Sequence, residues 1–99
     1  MLEMRIASLF ANIGVAEACL NELDNAHVVV ANEWLPRRAA LYHAIYPETN
    51  MICGDITDEA VYQQILQACR RERVDTIMAT PPCQGMSTAG QKIKFDERN

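Results

Sequence analysis

The sequence has no apolar run near the roughly 18 residues that cross a bilayer, and no charged-then-apolar leader. Its four cysteines have no C-x-x-C spacing, and His27 and His43 stand alone, so no metal site is indicated. Basic residues are also scarce: the formal net charge is −4, whereas nucleic-acid-binding modules are usually basic. These absences predict a cytoplasmic protein with no membrane contact and no metal. The acidic charge also argues against nucleic-acid binding by this chain alone.

Apolar stretches alternate with helical patterns along the chain, which is long enough for one small domain. Strands are predicted over 5–10, 27–31, 51–53 and 74–79, and helices over 15–23, 36–45 and about 57–72. The valines at 28, 29 and 30 are typical of a strand that is buried on both faces. This alternation predicts an α/β fold with a parallel sheet, and the residues after Thr80 predict an exposed loop.

The cysteines divide into two kinds. Cys19 and Cys69 fall among apolar residues of predicted helices and Cys53 falls in a strand, so all three are predicted to be buried. Cys83 follows two prolines, which favour display of its side chain in a loop. Such a cysteine can act as a nucleophile if its thiolate is stabilised, or it can be an exposed bystander.

Small and polar residues follow each of the four predicted strands, at the end where an open parallel sheet binds ligands, and the fourth cluster is the loop that contains Cys83. Residues 10–14 form a tight turn into a helix, which either presents N–H groups to a ligand or is merely structural. Glu33 lies 19 positions beyond Gly14, near the spacing of a ribose-binding carboxylate.

Two further residues of these clusters have alternative interpretations. Trp34 is the only tryptophan, and it could lie on an adenine ring or be a core aromatic beside a solvated carboxylate. Asp55 could accept a hydrogen bond from an adenine amino group, or it could cap the helix that follows.

Taken in order, these clusters resemble the first four motifs of DNA cytosine-5 methyltransferases. The resemblance covers nearly the whole chain and is carried by Ser8-Leu9-Phe10-Ala11-Asn12-Ile13-Gly14, Asn32-Glu33-Trp34, Gly54-Asp55-Ile56 and Pro81-Pro82-Cys83-Gln84-Gly85. The Pro-Cys-Gln stretch in this four-part order is highly specific. The resemblance implies that residues 1–99 are the amino-terminal part of a Rossmann-like, S-adenosylmethionine-dependent catalytic domain of a bacterial restriction-modification enzyme, which would lie with the nucleoid.

The same resemblance implies a role for each matching residue. Contacts to S-adenosylmethionine are implied for Phe10, Ile13 and Gly14 at the methionine end, Glu33 at the ribose hydroxyls, Trp34 on the adenine, Asp55 and Ile56 at the adenine edge and face, and Pro82 lining the site. Cys83 would add to carbon 6 of a cytosine flipped out of double-stranded DNA. Gln84 and Ser87 would face the DNA.

The sequence departs from the family in its first motif, where Asp usually stands at Ser8 and Gly at Asn12 and Val15. Asn12 still tolerates a left-handed backbone better than most residues do. The family's later motifs and its target-recognition region do not occur in these 99 residues. We therefore expect methylation only together with a second polypeptide or a carboxyl-terminal region, whether the chain is a subunit of a split enzyme or a shortened product.

Two other functions compete with this one. A non-catalytic S-adenosylmethionine-binding or assembly subunit is supported by the departures at Ser8 and Asn12. An unrelated nucleotide-binding α/β domain would explain Glu33 but would leave the Pro-Cys-Gln stretch a coincidence.

Overall fold

The computed structural model describes residues 3–81 of the chain. Strands and helices alternate as β1 Met4–Leu9, α1 Val15–Leu20, β2 Ala26–Glu33, α2 Pro36–Ile45, β3 Asn50–Cys53, α3 Glu59–Arg71 and β4 Thr76–Ala79. The strands form one sheet in the order β3-β2-β1-β4, and all of its pairings are parallel. The predicted α/β fold with a parallel sheet is therefore confirmed. Within residues 3–81, no helix is long and apolar enough to span a membrane.

The helices cover both faces of this sheet. Val30 and Ala31 are neighbours in β2, so their side chains point to opposite faces. Val30 packs in a cluster with Ala68 of α3, whereas Ala31 packs in a second cluster with Tyr42 of α2. Since the Tyr42 hydroxyl bonds to Glu17 of α1, α1 and α2 share one face and α3 covers the other.

Local sequence signals set the beginnings of the two longer helices. Asp58 caps α3, because its side chain accepts a hydrogen bond from the N–H of Ala60 at 2.9 Å. Pro36 occupies the first turn of α2, where its missing N–H costs nothing. Both features agree with the sequence-based prediction of these helices.

Several elements differ in length from the prediction: β4 begins at Thr76 rather than at residue 74, and the differences in α1 and β2 have clear local causes. Helix α1 ends at Leu20 rather than Leu23, and turns close over the next residues through hydrogen bonds from the N–H groups of Glu22 and Leu23. The residues there include Asn21 and Asp24, which favour turns over helix. Strand β2 runs on to Glu33, since Asn32 pairs with Leu9 in β1 on one side and Glu33 pairs with Cys53 in β3 on the other.

The prediction that three cysteines are buried is wrong for two of them. Cys19 is exposed because it lies two residues beyond the buried Glu17, on the opposite side of the short helix α1. Cys53 is exposed as the last residue of β3, which is an edge strand. Cys69 is partly buried against the α3 side of the sheet, where burial raises the pKa of its thiol.

Candidate functional site

A pocket opens at the carboxyl ends of β1, β2 and β3, where the sequence clusters were expected to meet. It encloses about 210 Å³. Its walls are formed by Phe10, Asn12, Asn32, Glu33, Trp34, Leu35, Arg38, Asp55, Ile56 and Thr80. Parallel strands end at one edge of the sheet, so segments far apart in sequence converge there.

Glu33 is the buried carboxylate of this pocket, with only 5% of its surface exposed. Its Oε1 accepts a hydrogen bond from the N–H of Asn12 at 2.7 Å, and its Oε2 accepts one from the N–H of Leu35 at 2.9 Å. These two bonds hold the carboxylate between the first turn and the start of α2. A carboxylate has about four lone-pair sites, so each oxygen can still accept a second donor.

The turn between β1 and α1 has an unusual backbone. Phe10, Asn12 and Gly14 all have positive φ angles, of 57°, 58° and 87°. The tolerance expected of Asn12 for this conformation is confirmed. Phe10 is a rarer occupant, because a bulky residue in the left-handed region is strained. The turn is fixed to β2 by the Ala11 N–H, which donates to the Asn32 carbonyl at 3.0 Å.

Thr80 connects this turn to the segment that follows β4. Its hydroxyl donates to the carbonyl of Phe10 at 3.1 Å, and its N–H donates to the carbonyl of Leu9 at 3.3 Å. The chain that leads toward the Pro-Cys-Gln stretch therefore leaves the sheet directly beside the pocket. Pro82, Cys83, Gln84 and Ser87 lie outside the described residues.

Trp34 lies on the pocket wall with 65% of its surface exposed. The alternative in which Trp34 is a core aromatic is therefore wrong. Its backbone carbonyl accepts a hydrogen bond from the Cys53 thiol at 3.7 Å, which links the ends of β2 and β3. The indole ring is left open to stack on a flat partner.

Asp55 bends the chain after β3 through a local turn. Its Oδ1 accepts hydrogen bonds from the N–H and the hydroxyl of Thr57, at 2.9 and 2.7 Å. These two bonds lower the pKa of Asp55, so its side chain is an ionised acceptor at neutral pH. The cap of α3 is Asp58, and the interpretation of Asp55 as the helix cap is wrong.

The pocket does not contain all of the residues expected at the site. Ile13 lies in a neighbouring groove with Arg37 and Leu41. Gly14 is buried on the far side of the turn, against the rings of Tyr42 and Tyr46.

Sequence reasoning also missed contributors to the pocket. Asn32 donates from Nδ2 to the carbonyls of Ile52 and Gly54, at 2.8 and 3.0 Å, and so ties β2 to the chain after β3. Arg38 lines the wall from the first turn of α2. Asn32 and Thr80 both stood in the sequence clusters but were given no role there, whereas nothing in the sequence marked Arg38.

The family model for C-5 cytosine-specific DNA methylase matches residues 4–99. The chain belongs to this family. The resemblance drawn from the four motifs is thereby confirmed. Among curated relatives, Type II methyltransferase M1.HgaI of Avibacterium volantium is 42% identical over 84 residues, covering 85% of this chain and 23% of that protein. Type II methyltransferase M.NgoPII of Neisseria gonorrhoeae is 33% identical over 94 residues, covering 95% of this chain and 26% of that protein.

A third relative of this family member is Type II methyltransferase M.AquIA of Picosynechococcus sp., 30% identical over 97% of this chain and 39% of that protein. The chain thus spans about a quarter to two fifths of the curated relatives it matches. A crystal structure of a Spodoptera frugiperda DNMT2 mutant superposes with a TM-score of 0.66 at 30% identity, over 83% of this chain and 24% of that one. This likeness agrees with the predicted Rossmann-like methyltransferase fold.

Proposed function

We propose that this C-5 cytosine methylase chain supplies the cofactor-binding half-site and the nucleophile of a DNA cytosine-5 methyltransferase. The observation that carries the proposal is the pocket at the carboxyl ends of β1 to β3. It brings together Phe10, Glu33, Trp34, Asp55 and Ile56, which come from three separate stretches of sequence. A pocket with convergent polar groups at this edge of a parallel sheet is where such folds bind ligands.

The chemistry of the pocket fits S-adenosylmethionine. Glu33 has acceptor sites left over after its two backbone bonds, which suits it to hold the ribose hydroxyls. The exposed ring of Trp34 offers a flat apolar face for the adenine. When bound, S-adenosylmethionine supplies an electrophilic methyl group.

The other residues complete the binding of this cofactor in the proposal. Asp55 accepts from the adenine amino group through a carboxylate that is ionised at neutral pH, and Ile56 contacts the adenine face. Phe10 contacts the methionine end directly, whereas Ile13 and Gly14, which do not line this pocket, contribute through the turn that meets it. Pro82 lines the site next to Cys83.

Cys83 is the proposed nucleophile. Its thiolate forms a bond to carbon 6 of the target cytosine, which makes carbon 5 nucleophilic enough to take a methyl group. Methyl transfer leaves S-adenosylhomocysteine as the second product. A water molecule or another base then takes the proton of carbon 5, and the bond between sulfur and carbon 6 breaks, so that the Cys83 thiolate leaves and the aromatic ring is restored. The reacting carbons are shielded inside stacked DNA, so the cytosine has to be flipped out of the duplex. In this proposal Gln84 and Ser87 would face the DNA.

We further propose that activity requires a second polypeptide or a carboxyl-terminal region. The chain covers only 23% of its relative from Avibacterium volantium, and the remaining catalytic and target-reading parts have to be supplied. Among residues 3–81, strand β4 pairs with β1 on one side only, and Ile77 in β4 is 58% exposed. A further strand at this edge would bury both the unpaired backbone and the side chain.

Bisulfite sequencing of DNA from a methylation-free bacterial host tests the proposal. The host expresses this chain together with the polypeptide or region that completes it, either as wild type, as Cys83→Ala or as Cys19→Ala. Cys19 is an exposed cysteine in α1 and serves as the matched control. We expect methylated cytosines with wild type and Cys19→Ala and none with Cys83→Ala. Persistent methylation with Cys83→Ala rules out the nucleophile, and no methylation by the assembled wild type favours a non-catalytic subunit.

A further inference from the structure

We propose that helix α2 braces the turn at residues 10–14 from both of its ends, with Tyr46 and Tyr42 as positioning residues. The inference rests on the proposed function, because this turn is the segment expected to meet the methionine end of S-adenosylmethionine. The two tyrosines do not line the pocket and act on it only through the turn.

The turn needs external support. Phe10 and Asn12 both carry a Cβ in the left-handed region, with φ angles of 57° and 58°, and this conformation is unfavourable for such residues. Backbone strain of this kind persists only where the surrounding structure fixes it. The conformation of the turn therefore depends on its contacts with neighbouring elements.

The first support comes from the amino end of α2. Leu35, the residue that caps this end, donates its N–H to Oε2 of Glu33 at 2.9 Å. The other oxygen of Glu33 accepts the N–H of Asn12 at 2.7 Å. One buried carboxylate thus joins the start of α2 to the middle of the turn.

The second support comes from the carboxyl end of α2. Tyr46 caps this end, and its hydroxyl donates to the carbonyl of Gly14 at 2.7 Å. One helical turn earlier, the hydroxyl of Tyr42 donates to Glu17 at 2.6 Å. The ring centroids of the two tyrosines lie 4.9 Å apart, and both rings pack where a side chain at Gly14 would have to lie.

The hydroxyl groups distinguish positioning from simple packing. Phenylalanine rings would fill the same space against Gly14, yet both hydroxyls bond to the segment from Gly14 to Glu17. Glu17 is only 2% exposed and Tyr42 is fully buried, so water does not substitute for their bond. The turn is consequently held at Asn12 by one end of α2 and at Gly14 by the other.

Two measurements on the wild-type protein and on Tyr46→Phe test the brace. Calorimetry gives the affinity for S-adenosylmethionine, and hydrogen exchange gives the protection of the Asn12 and Gly14 amides, which bond to Glu33 and Ala11. Tyr62→Phe is the matched control, because Tyr62 is exposed on α3. Tyr46→Phe keeps the ring, so the variant retains the packing beneath Gly14.

We expect Tyr46→Phe to bind S-adenosylmethionine about three- to tenfold more weakly and to exchange both turn amides faster, as befits the loss of one hydrogen bond. Tyr62→Phe should match wild type in both measurements. Unchanged affinity and unchanged exchange in Tyr46→Phe overturn the brace. If the assembled wild type does not bind S-adenosylmethionine, the proposed function fails. The exchange of the turn amides then tests the inference by itself: faster exchange in Tyr46→Phe than in wild type supports it, and equal exchange contradicts it.

Discussion

The hydroxyl of Tyr42 donates a 2.6 Å hydrogen bond to the carboxylate of Glu17, and both side chains are buried between helices α1 and α2. Burial and this bond raise the pKa of Tyr42, so the hydroxyl stays protonated and remains a donor at neutral pH. A buried carboxylate is costly unless it has a hydrogen-bond partner. Loss of the Tyr42 hydroxyl would therefore leave a buried carboxylate between α1 and α2 without this donor.

Substitution of Tyr42 by Phe should destabilise the protein by about 1–3 kcal/mol, because the buried Glu17 would lose its hydroxyl donor. Urea denaturation at neutral pH measures the free energy of unfolding. Replacing Glu17 by Met as well should recover part of the loss, since neither partner is then polar. Tyr62→Phe on the exposed face of α3 should lie within about 0.5 kcal/mol of wild type. An equal cost for Tyr42→Phe and Tyr62→Phe would contradict the role of the bond.

Two substitutions in the first turn should have very different effects. Gly14→Ala places a methyl group against the rings of Tyr42 and Tyr46 at a φ of 87°, so we expect a loss of about 1–3 kcal/mol. Asn12→Gly at a φ of 58° removes backbone strain from the folded state but adds conformational entropy to the unfolded state. These two effects oppose each other, so we expect the free energy of unfolding to change by less than about 0.5 kcal/mol. Thermal unfolding of both variants measures this contrast. A similar loss for both would show that the turn's backbone does not control stability.

A fall in pH should weaken the hydrogen bonds of Asp75 to Thr76 and Arg5, at the amino end of the sheet. The Thr76 hydroxyl and the Arg5 N–H donate to Oδ1 of Asp75 at 2.8 and 3.1 Å, and both bonds lower the pKa of this carboxyl below 3.8. A lowered folded-state pKa gives stability that is complete above the unfolded-state pKa and is lost as the pH falls through the folded-state pKa.

We therefore expect Asp75→Asn to lower the melting temperature at neutral pH, with the difference from wild type shrinking as the pH falls below 3.8. Thermal unfolding over a series of pH values measures this difference. Asp24→Asn, in the exposed turn after α1, is the control and should follow wild type throughout. A constant difference for Asp75→Asn at every pH would exclude ionisation of Asp75 as its cause.

The sequence predicted the order of elements because each of them carries a local signal. Pro36 and Asp58 mark the beginnings of helices, and the valines of β2 mark a buried strand. Local signals did not reveal the length of β2, since its last residues extend only by pairing with β1 and β3. Nor did they reveal that Cys53 is exposed, because that depends on β3 being at the edge of the sheet.

The sequence predicted the carboxylates of the candidate site better than the residues that hold its first turn in place. Glu33 and Asp55 follow strands directly, so spacing alone brought them to one edge of the sheet. Tyr46 bonds to the first turn, and Tyr42 bonds to Glu17, only because α1 and α2 lie side by side. This is a tertiary relationship, and it joins residues 32 positions apart in the case of Tyr46 and Gly14. Thr80 is similar, since its bond to Phe10 requires β4 to lie beside β1.

Glu33 should be the most sensitive residue of the pocket. In Glu33→Gln one acceptor oxygen becomes an NH₂ group that meets a backbone N–H, of either Asn12 or Leu35, so one bond is replaced by repulsion between donors. We expect S-adenosylmethionine to bind at least about tenfold more weakly, because both the ribose acceptor and the shape of the turn are affected. Titration calorimetry of the assembled protein gives the affinity. Asp58→Asn is the matched control, since Asn also caps helices and α3 should be unaffected. Equal affinities for wild type and Glu33→Gln would remove Glu33 from the cofactor site and leave it as a structural link between β2, α2 and the first turn.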